Sequence, residues 1–145
     1  MSATAKSKNA LANVIVGLLV VMAITLATAS TIHFGVAIAG VDDPFPDAAL
    51  PEAIISGVVL AGAAAAALRI SHAWGWALAA TLFAILGFLV GLRFTLFGGR
   101  SVVLGDVVYH LSGLLVLVVI AGLLLSERGR AALGKDAGTL ADAQL

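Results

Sequence analysis

The sequence predicts an all-α membrane protein: a four-transmembrane-helix bundle with an apolar, proline-containing extracytoplasmic loop after helix 1. Four long runs lack Lys, Arg, Asp and Glu, and they cover residues 9–41, 53–68, 73–92 and 107–126. A helix needs roughly 20 apolar residues to cross a bilayer, so each run is long enough or nearly so. Charged residues make up 11% of the 145-residue chain, against roughly 25% in soluble proteins. The runs also lack the polar face that a soluble helix repeats at its 3.6-residue period.

The first helix is predicted over residues 10–33. The uncharged run that contains it would measure about 50 Å as one helix, which is more than a single span requires. Two glycines in its second half, and then the prolines of segment 42–47, interrupt it. We therefore expect the helix to end near His33. The residues that follow, with Phe34 and Phe45, are expected to lie along the outer membrane face as an apolar flap.

The amino-terminal segment also has features of a cleaved signal peptide. Lys6 and Lys8 precede an apolar stretch, and Ala27-Thr28-Ala29 has the small-x-small form of a cleavage site. Cleavage there would remove residues 1–29. Because the apolar run continues as far as Val41, we expect the segment to be retained as the first of four spans.

The other three spans are predicted over residues 51–70, 73–96 and 106–126. Pro51 suits the first turn of helix 2, where its missing N–H is no loss, and Glu52 suits the positive end of the helix dipole. The Ala- and Gly-rich residues after the last span predict a short helical extension.

Small residues on two helices indicate close helix packing. Helix 2 contains an alanine-rich stretch, and Gly87 and Gly91 form a GxxxG motif in helix 3. Such faces let helices approach closely where lipid removes the hydrophobic drive for association. We expect the GxxxG motif to pack within the bundle. The alternative is a contact with a second copy or another subunit, so the predicted partners are the lipid bilayer and a homo-oligomer or larger membrane complex.

The basic residues predict the orientation. Six lie on one side of the predicted spans and two on the other, and the loop 42–47 has three acids and no base. Because Lys and Arg favour the cytoplasmic side, both termini, residues 1–9 and 127–145, are predicted to be cytoplasmic in a multi-pass cell-membrane protein. The basic residues on the predicted cytoplasmic side are Lys6, Lys8, Arg69, Arg128, Arg130 and Lys135, and those outside are Arg93 and Arg100.

Composition also excludes several functions. The formal net charge is zero, so no basic surface is predicted for nucleic acid or for strong binding of anionic lipids. The chain has no cysteine and thus no disulfide or thiolate metal site. No established catalytic motif occurs in it, and the sequence does not predict an enzyme.

The candidate site comprises ionisable and polar residues that four helices place at one level, near the outer end of the bundle. Insertion of such groups into a membrane is costly, so they are functional candidates. Asp106 precedes His110 by one helical turn, and we expect its carboxylate to hold the imidazole and make His110 the centre of the site. We expect Arg93 to pair with Asp106 or Glu52. The site residues are His33, Glu52, Arg93, Asp106, Tyr109 and His110.

The sequence leaves several functions open for this site. It can bind a small or lipophilic solute or an ion, with Asp106 and His110 responding to protons and Arg93 attracting anions. Alternatively, His33 and His110 ligate a non-covalent haem, or join Asp106 and Glu52 around a divalent metal. A third possibility is an accessory or scaffold subunit of a larger membrane complex.

Structural roles compete with these functions. Glu52 and Asp106 can serve as favourable charges at helix starts. Arg93 can extend its long side chain to the headgroups.

Overall fold

The computed structural model describes residues 3–99 and 101–134, with side chains from Lys8 onward in the first helix. The described residues form five helices and no extended strand, which confirms the predicted fold class. Four of the helices are long and apolar enough to cross a membrane, so the chain is a multi-pass membrane protein. The helices are α1 (Ala3–His33), α2 (Pro46–Ala67), α3 (Ala73–Phe97), α4 (Leu104–Leu125) and α5 (Glu127–Leu133).

The long helices form a bundle in which each packs on the next in sequence. α1 also contacts α4 and α5, which closes the bundle around one core. Large aliphatic side chains from α1 and α4 fill this core, among them Ile15, Leu19, Leu117 and Leu124, which are fully buried. Many other apolar side chains point outward. In a bilayer these side chains contact lipid, so the outward apolar surface fits a membrane protein.

Glycines occur where neighbouring helices approach closely. A Cβ on Gly62 would overlap the methyl group of Ala80, and one on Gly87 would overlap Ile55. Gly91 faces the imidazole of His110 in the same way. The GxxxG motif therefore packs inside the bundle, on α2 and α4, as predicted.

The start of α2 differs from the prediction. The helix begins at Pro46 rather than at residue 51, with Pro46 in the first turn, Asp47 beside it and Pro51 inside the helix. A proline in the first turn costs no hydrogen bond, and that place is taken by Pro46. Pro51 removes one N–H that would otherwise bond four residues back, a loss that the helix tolerates near its start.

The loop after α1 contains a tight turn. Ile38 and Val41 exchange both main-chain hydrogen bonds, each at 3.0 Å. Between them, Ala39 and Gly40 have positive φ angles of 52° and 83°, as a two-residue hairpin turn requires. Phe34, Val36 and Val41 are exposed, so the loop presents an apolar surface. Its placement against the outer membrane face stays a prediction.

The predicted helical extension after the last span is α5, and residues 135–145 lie outside the described part of the chain. Ser126 separates α5 from α4, and its hydroxyl accepts a hydrogen bond from the Gly129 N–H at 3.0 Å. Ala132 and Leu133 are buried in the same core as α1. At this end of the bundle the indole N–H of Trp74 donates to the carbonyl of Leu124 at 2.7 Å.

Candidate functional site

His33, the last residue of α1, lies between two carboxylates. Its Nδ1 is 2.7 Å from Oε2 of Glu52, and its Nε2 is 3.8 Å from Oδ2 of Asp43. The side chains of His33 and Glu52 are only 15% and 10% exposed. The edge of the ring meets Phe45, with 6.0 Å between the two centroids. A buried acid–imidazole pair thus lies at the end of a membrane span.

Two hydroxyl groups fix the register of α1 and α2 beside this pair. Ser30 donates to the carbonyl of Ala49 at 2.7 Å, and Ser56 donates to the carbonyl of Ala23 at 2.8 Å, both buried. Ser30 is three residues before His33, and Ser56 is four residues after Glu52, so each serine shares a helix face with its ionisable neighbour. The sequence did not predict either of these supporting bonds, although the spacing of the two serines from His33 and Glu52 would have indicated them.

Asp43 is a residue of the site that the sequence did not predict. The loop brings it back over α1 through a main-chain bond in which the Phe45 N–H donates to the His33 carbonyl at 2.9 Å. The side chain of Asp43 is 37% exposed, so it lies at the edge of the site. The sequence placed it in an acidic loop but carried no signal for the return of that loop.

Tyr109 of α4 lies beside the pair. Its ring packs on Phe88, with centroids 5.3 Å apart. The hydroxyl is buried and forms no hydrogen bond of standard geometry with the described residues, although it lies close enough to Glu52 for a weak hydrogen-bonding interaction with that carboxylate. A buried hydroxyl without a partner costs about 1–3 kcal/mol. Tyr109 therefore offers a hydrogen-bonding group that a ligand or a water molecule can use.

His110 has different partners from those predicted. Its Nδ1 lies 2.7 Å from the main-chain carbonyl of Asp106, not from the Asp106 carboxylate, and 3.5 Å from Oγ1 of Thr95. A carbonyl only accepts, so Nδ1 carries a proton in this contact. The opposite edge of the ring, with Nε2, faces Gly91. The expected contact between the Asp106 carboxylate and the His110 imidazole is absent because the imidazole N–H bonds the main-chain carbonyl of Asp106 instead.

Arg93 does not form the predicted ion pair. In the described part of the chain, no salt bridge joins Arg93 to Asp106 or Glu52. The Arg93 side chain is exposed, and its Cζ lies 5.8 Å from the centroid of the Phe94 ring. This is the placement expected of a long cationic side chain that reaches outward from a helix end. Arg93 therefore forms no ion pair with the described acids of the candidate site.

The six sequence-predicted residues divide into separate groups. His33, Glu52 and Tyr109 come together, and Asp106 acts on His33 only through longer-range electrostatics. His110 belongs to an aromatic cluster in which its ring centroid is 5.1 Å from that of Tyr109. The close polar contacts among the candidate residues therefore gather at His33, and those of His110 lie apart from them.

The contacts of the two histidines bear on cofactor binding. Within residues 3–99 and 101–134, no group of three or more His, Asp or Glu side chains is arranged to hold a metal ion. Both His33 nitrogens face carboxylates, and the free nitrogen of His110 faces Gly91. A haem between them would have to displace these contacts, so the geometry favours neither cofactor interpretation.

The fold and this site define a class: a small multi-pass membrane protein with a buried acid–imidazole pair at one end of its helical bundle. Comparison with known protein families, with curated proteins and with solved structures finds no match to this chain.

Proposed function

We propose that this membrane protein binds a small or lipophilic solute, or an ion, at the polar site of His33, Glu52 and Tyr109. The observation that carries the proposal is the 2.7 Å contact between His33 and Glu52, which is largely buried at the end of a membrane span. Beside it lies the Tyr109 hydroxyl, which forms no hydrogen bond of standard geometry with a described residue. Ionisable groups in such a place are costly and mark functional sites by default.

A purely structural role explains the site less well. The neutral bonds of Ser30 and Ser56 already fasten α1 to α2 on either side of the pair. A buried ion pair adds little stability beyond such bonds, because desolvation offsets much of the attraction. A structural role also does not account for the burial of a Tyr109 hydroxyl that forms no hydrogen bond of standard geometry with the described residues.

The proposal includes an orientation. Basic residues predominate at the opposite end of the bundle, near Arg69 and α5, and this end is predicted to be cytoplasmic. The His33 site then lies on the outer side of the membrane. The Phe45 segment of the loop lies over it on that side.

The direct test is the content of gently solubilised protein. Small molecules retained by the wild-type protein are extracted and identified by mass spectrometry, and the same analysis is made of Glu52→Gln and Tyr109→Phe. Both variants are expected to retain less, because each removes a hydrogen-bonding or charged group of the site. Ser30→Ala is the control, since it removes a neighbouring structural bond without touching the site.

Equal retention by all four proteins would contradict the proposal. It would leave the polar cluster as packing and favour the accessory-subunit interpretation.

A further inference from the structure

The opposite end of the bundle carries exposed arginines on α5. Because Ala132 and Leu133 of this short helix are buried against the core, Arg128 and Arg130 lie on its outward face and are exposed. α5 follows the last span after the extended residue Ser126. The two guanidinium groups therefore lie where the span ends, at the level of a membrane–water interface.

Arg130 is held in place by an aromatic residue. Its Cζ lies 5.7 Å from the centroid of the Trp74 ring, and the indole N–H of Trp74 is itself fixed by its bond to Leu124. No described acid, including the neighbouring Glu127, forms a salt bridge with Arg128 or Arg130. Among the described residues, therefore, no acid neutralises these two charges, and that of Arg130 is already positioned. The total charge predicted no strong binding of anionic lipids because it does not show such a local cluster of arginines.

A third arginine lies at the same end. Arg69, just after α2, donates from Nη2 to Oδ1 of Asn9 on α1 at 2.8 Å. Beside it, Leu68 is 75% exposed, and Leu125, the last residue of α4, is 49% exposed. Cationic groups thus adjoin apolar side chains at the ends of the spans. The described charged residues at this end are Lys8, Arg69, Glu127, Arg128 and Arg130.

We propose that this end of the bundle binds the headgroups of anionic phospholipids through Arg69, Arg128 and Arg130. Guanidinium groups bind phosphate oxygens with paired hydrogen bonds, and arginine suits such contacts better than lysine does. The exposed leucines beside them match acyl chains, which a free phosphate lacks. Trp74 adds the amphipathic ring that is favoured at the interface. This surface is distinct from the His33 site, and the proposal does not depend on the function of that site.

The test measures lipid binding to the delipidated full-length protein in detergent. Phosphatidylglycerol and phosphatidylcholine with the same acyl chains are titrated separately, and bound lipid is counted by native mass spectrometry. Wild-type protein is expected to prefer phosphatidylglycerol. Arg128→Gln and Arg130→Gln should each lower that affinity about fivefold, the usual effect of one basic residue near an anionic membrane surface. The Arg128 side chain forms no hydrogen bond or salt bridge with a described residue, so Arg128→Gln tests the proposal even if Arg130→Gln folds poorly.

Arg93→Gln is the matched control, because it removes the same charge from the opposite end of the bundle. It should leave phosphatidylglycerol binding unchanged. The proposal is overturned if wild-type protein shows no preference between the two lipids, or if Arg93→Gln weakens binding as much as the α5 variants do. Full displacement of the lipid by millimolar inorganic phosphate would show an anion site without lipid recognition, and would overturn it too.

Discussion

At the scale of single residues, His33 connects three parts of the molecule. It ends α1, its ring contacts Glu52 of α2, and its carbonyl accepts the bond that returns the loop at Phe45. Protonated imidazole has an N–H on each nitrogen, so this form can face Glu52 and Asp43 with a donor on both sides. A neutral ring can donate to only one of them. The protonated ring is therefore the form that best matches its surroundings.

Removal of the imidazole should destabilise the protein. His33→Leu leaves Glu52 buried without its partner, and loss of one member of such a pair costs about 3–5 kcal/mol. The double variant His33→Leu, Glu52→Leu should recover most of this loss, because no buried charge remains. Thermal unfolding in detergent measures both. A double variant less stable than His33→Leu alone would show that Glu52 has another stabilising partner.

Tyr109→Phe separates structure from function. Because the hydroxyl has no hydrogen-bond partner among the described residues, its removal should leave stability unchanged or raise it by about 1 kcal/mol. Solute retention should fall in the same protein. The two measurements are thermal unfolding and mass spectrometry of the retained molecules. A clear loss of stability would instead reveal a structural hydrogen bond.

At the scale of the helices, glycines set how closely α3 and α4 approach. Gly91 of α3 makes room for the ring of His110, and Gly113 of α4 makes room for the ring of Phe88. Each glycine thus accommodates a ring from the facing helix. The contacts alternate between the two helices, so the spacing of α3 and α4 depends on both glycines.

Gly91→Ala and Gly113→Ala should therefore destabilise the bundle. An added methyl group would overlap His110 or Phe88, and overpacking of this kind typically costs about 1–3 kcal/mol. Gly57→Ala is the control, because a Cβ there meets no other atom within 4 Å, and its stability should stay the same or increase. Thermal unfolding of the three variants measures these changes in stability. If Gly113→Ala were as stable as Gly57→Ala, α3 and α4 would not be in close contact at Gly113.

The sequence predicted where the helices lie in the chain better than it predicted which face of each helix points into the bundle. Prolines and charges mark where spans end, and His33 was correctly expected near the end of α1. Spans that are apolar all round carry no periodic signal for the inward face. For that reason the sequence could place Arg93 and His110 at the same end of the bundle but not toward the right neighbours. The partner of His33 could not be predicted either, since it depends on how α1 and α2 face each other.

At the scale of the whole molecule, charge divides between the two ends of the bundle. Acids surround the end with the His33 site, and most described basic residues lie at the end with α5. This asymmetry supports both proposals, since it supplies carboxylates to one end and guanidinium groups to the other. It also sets the predicted orientation, because basic residues near span ends favour the cytoplasmic side. The acids are Asp42, Asp43, Asp47, Glu52 and Asp106.

The orientation can be tested on intact cells, since the chain contains no cysteine and single cysteines can be introduced as labels. Val36→Cys places a thiol on the exposed loop after α1, and Ala131→Cys places one on the exposed face of α5. A membrane-impermeant maleimide should label Val36→Cys on intact cells and should reach Ala131→Cys only after the membrane is permeabilised. The reverse pattern would put the His33 site on the cytoplasmic side. The contacts of that site would stand unchanged, but its solute would then have to come from the cytoplasm.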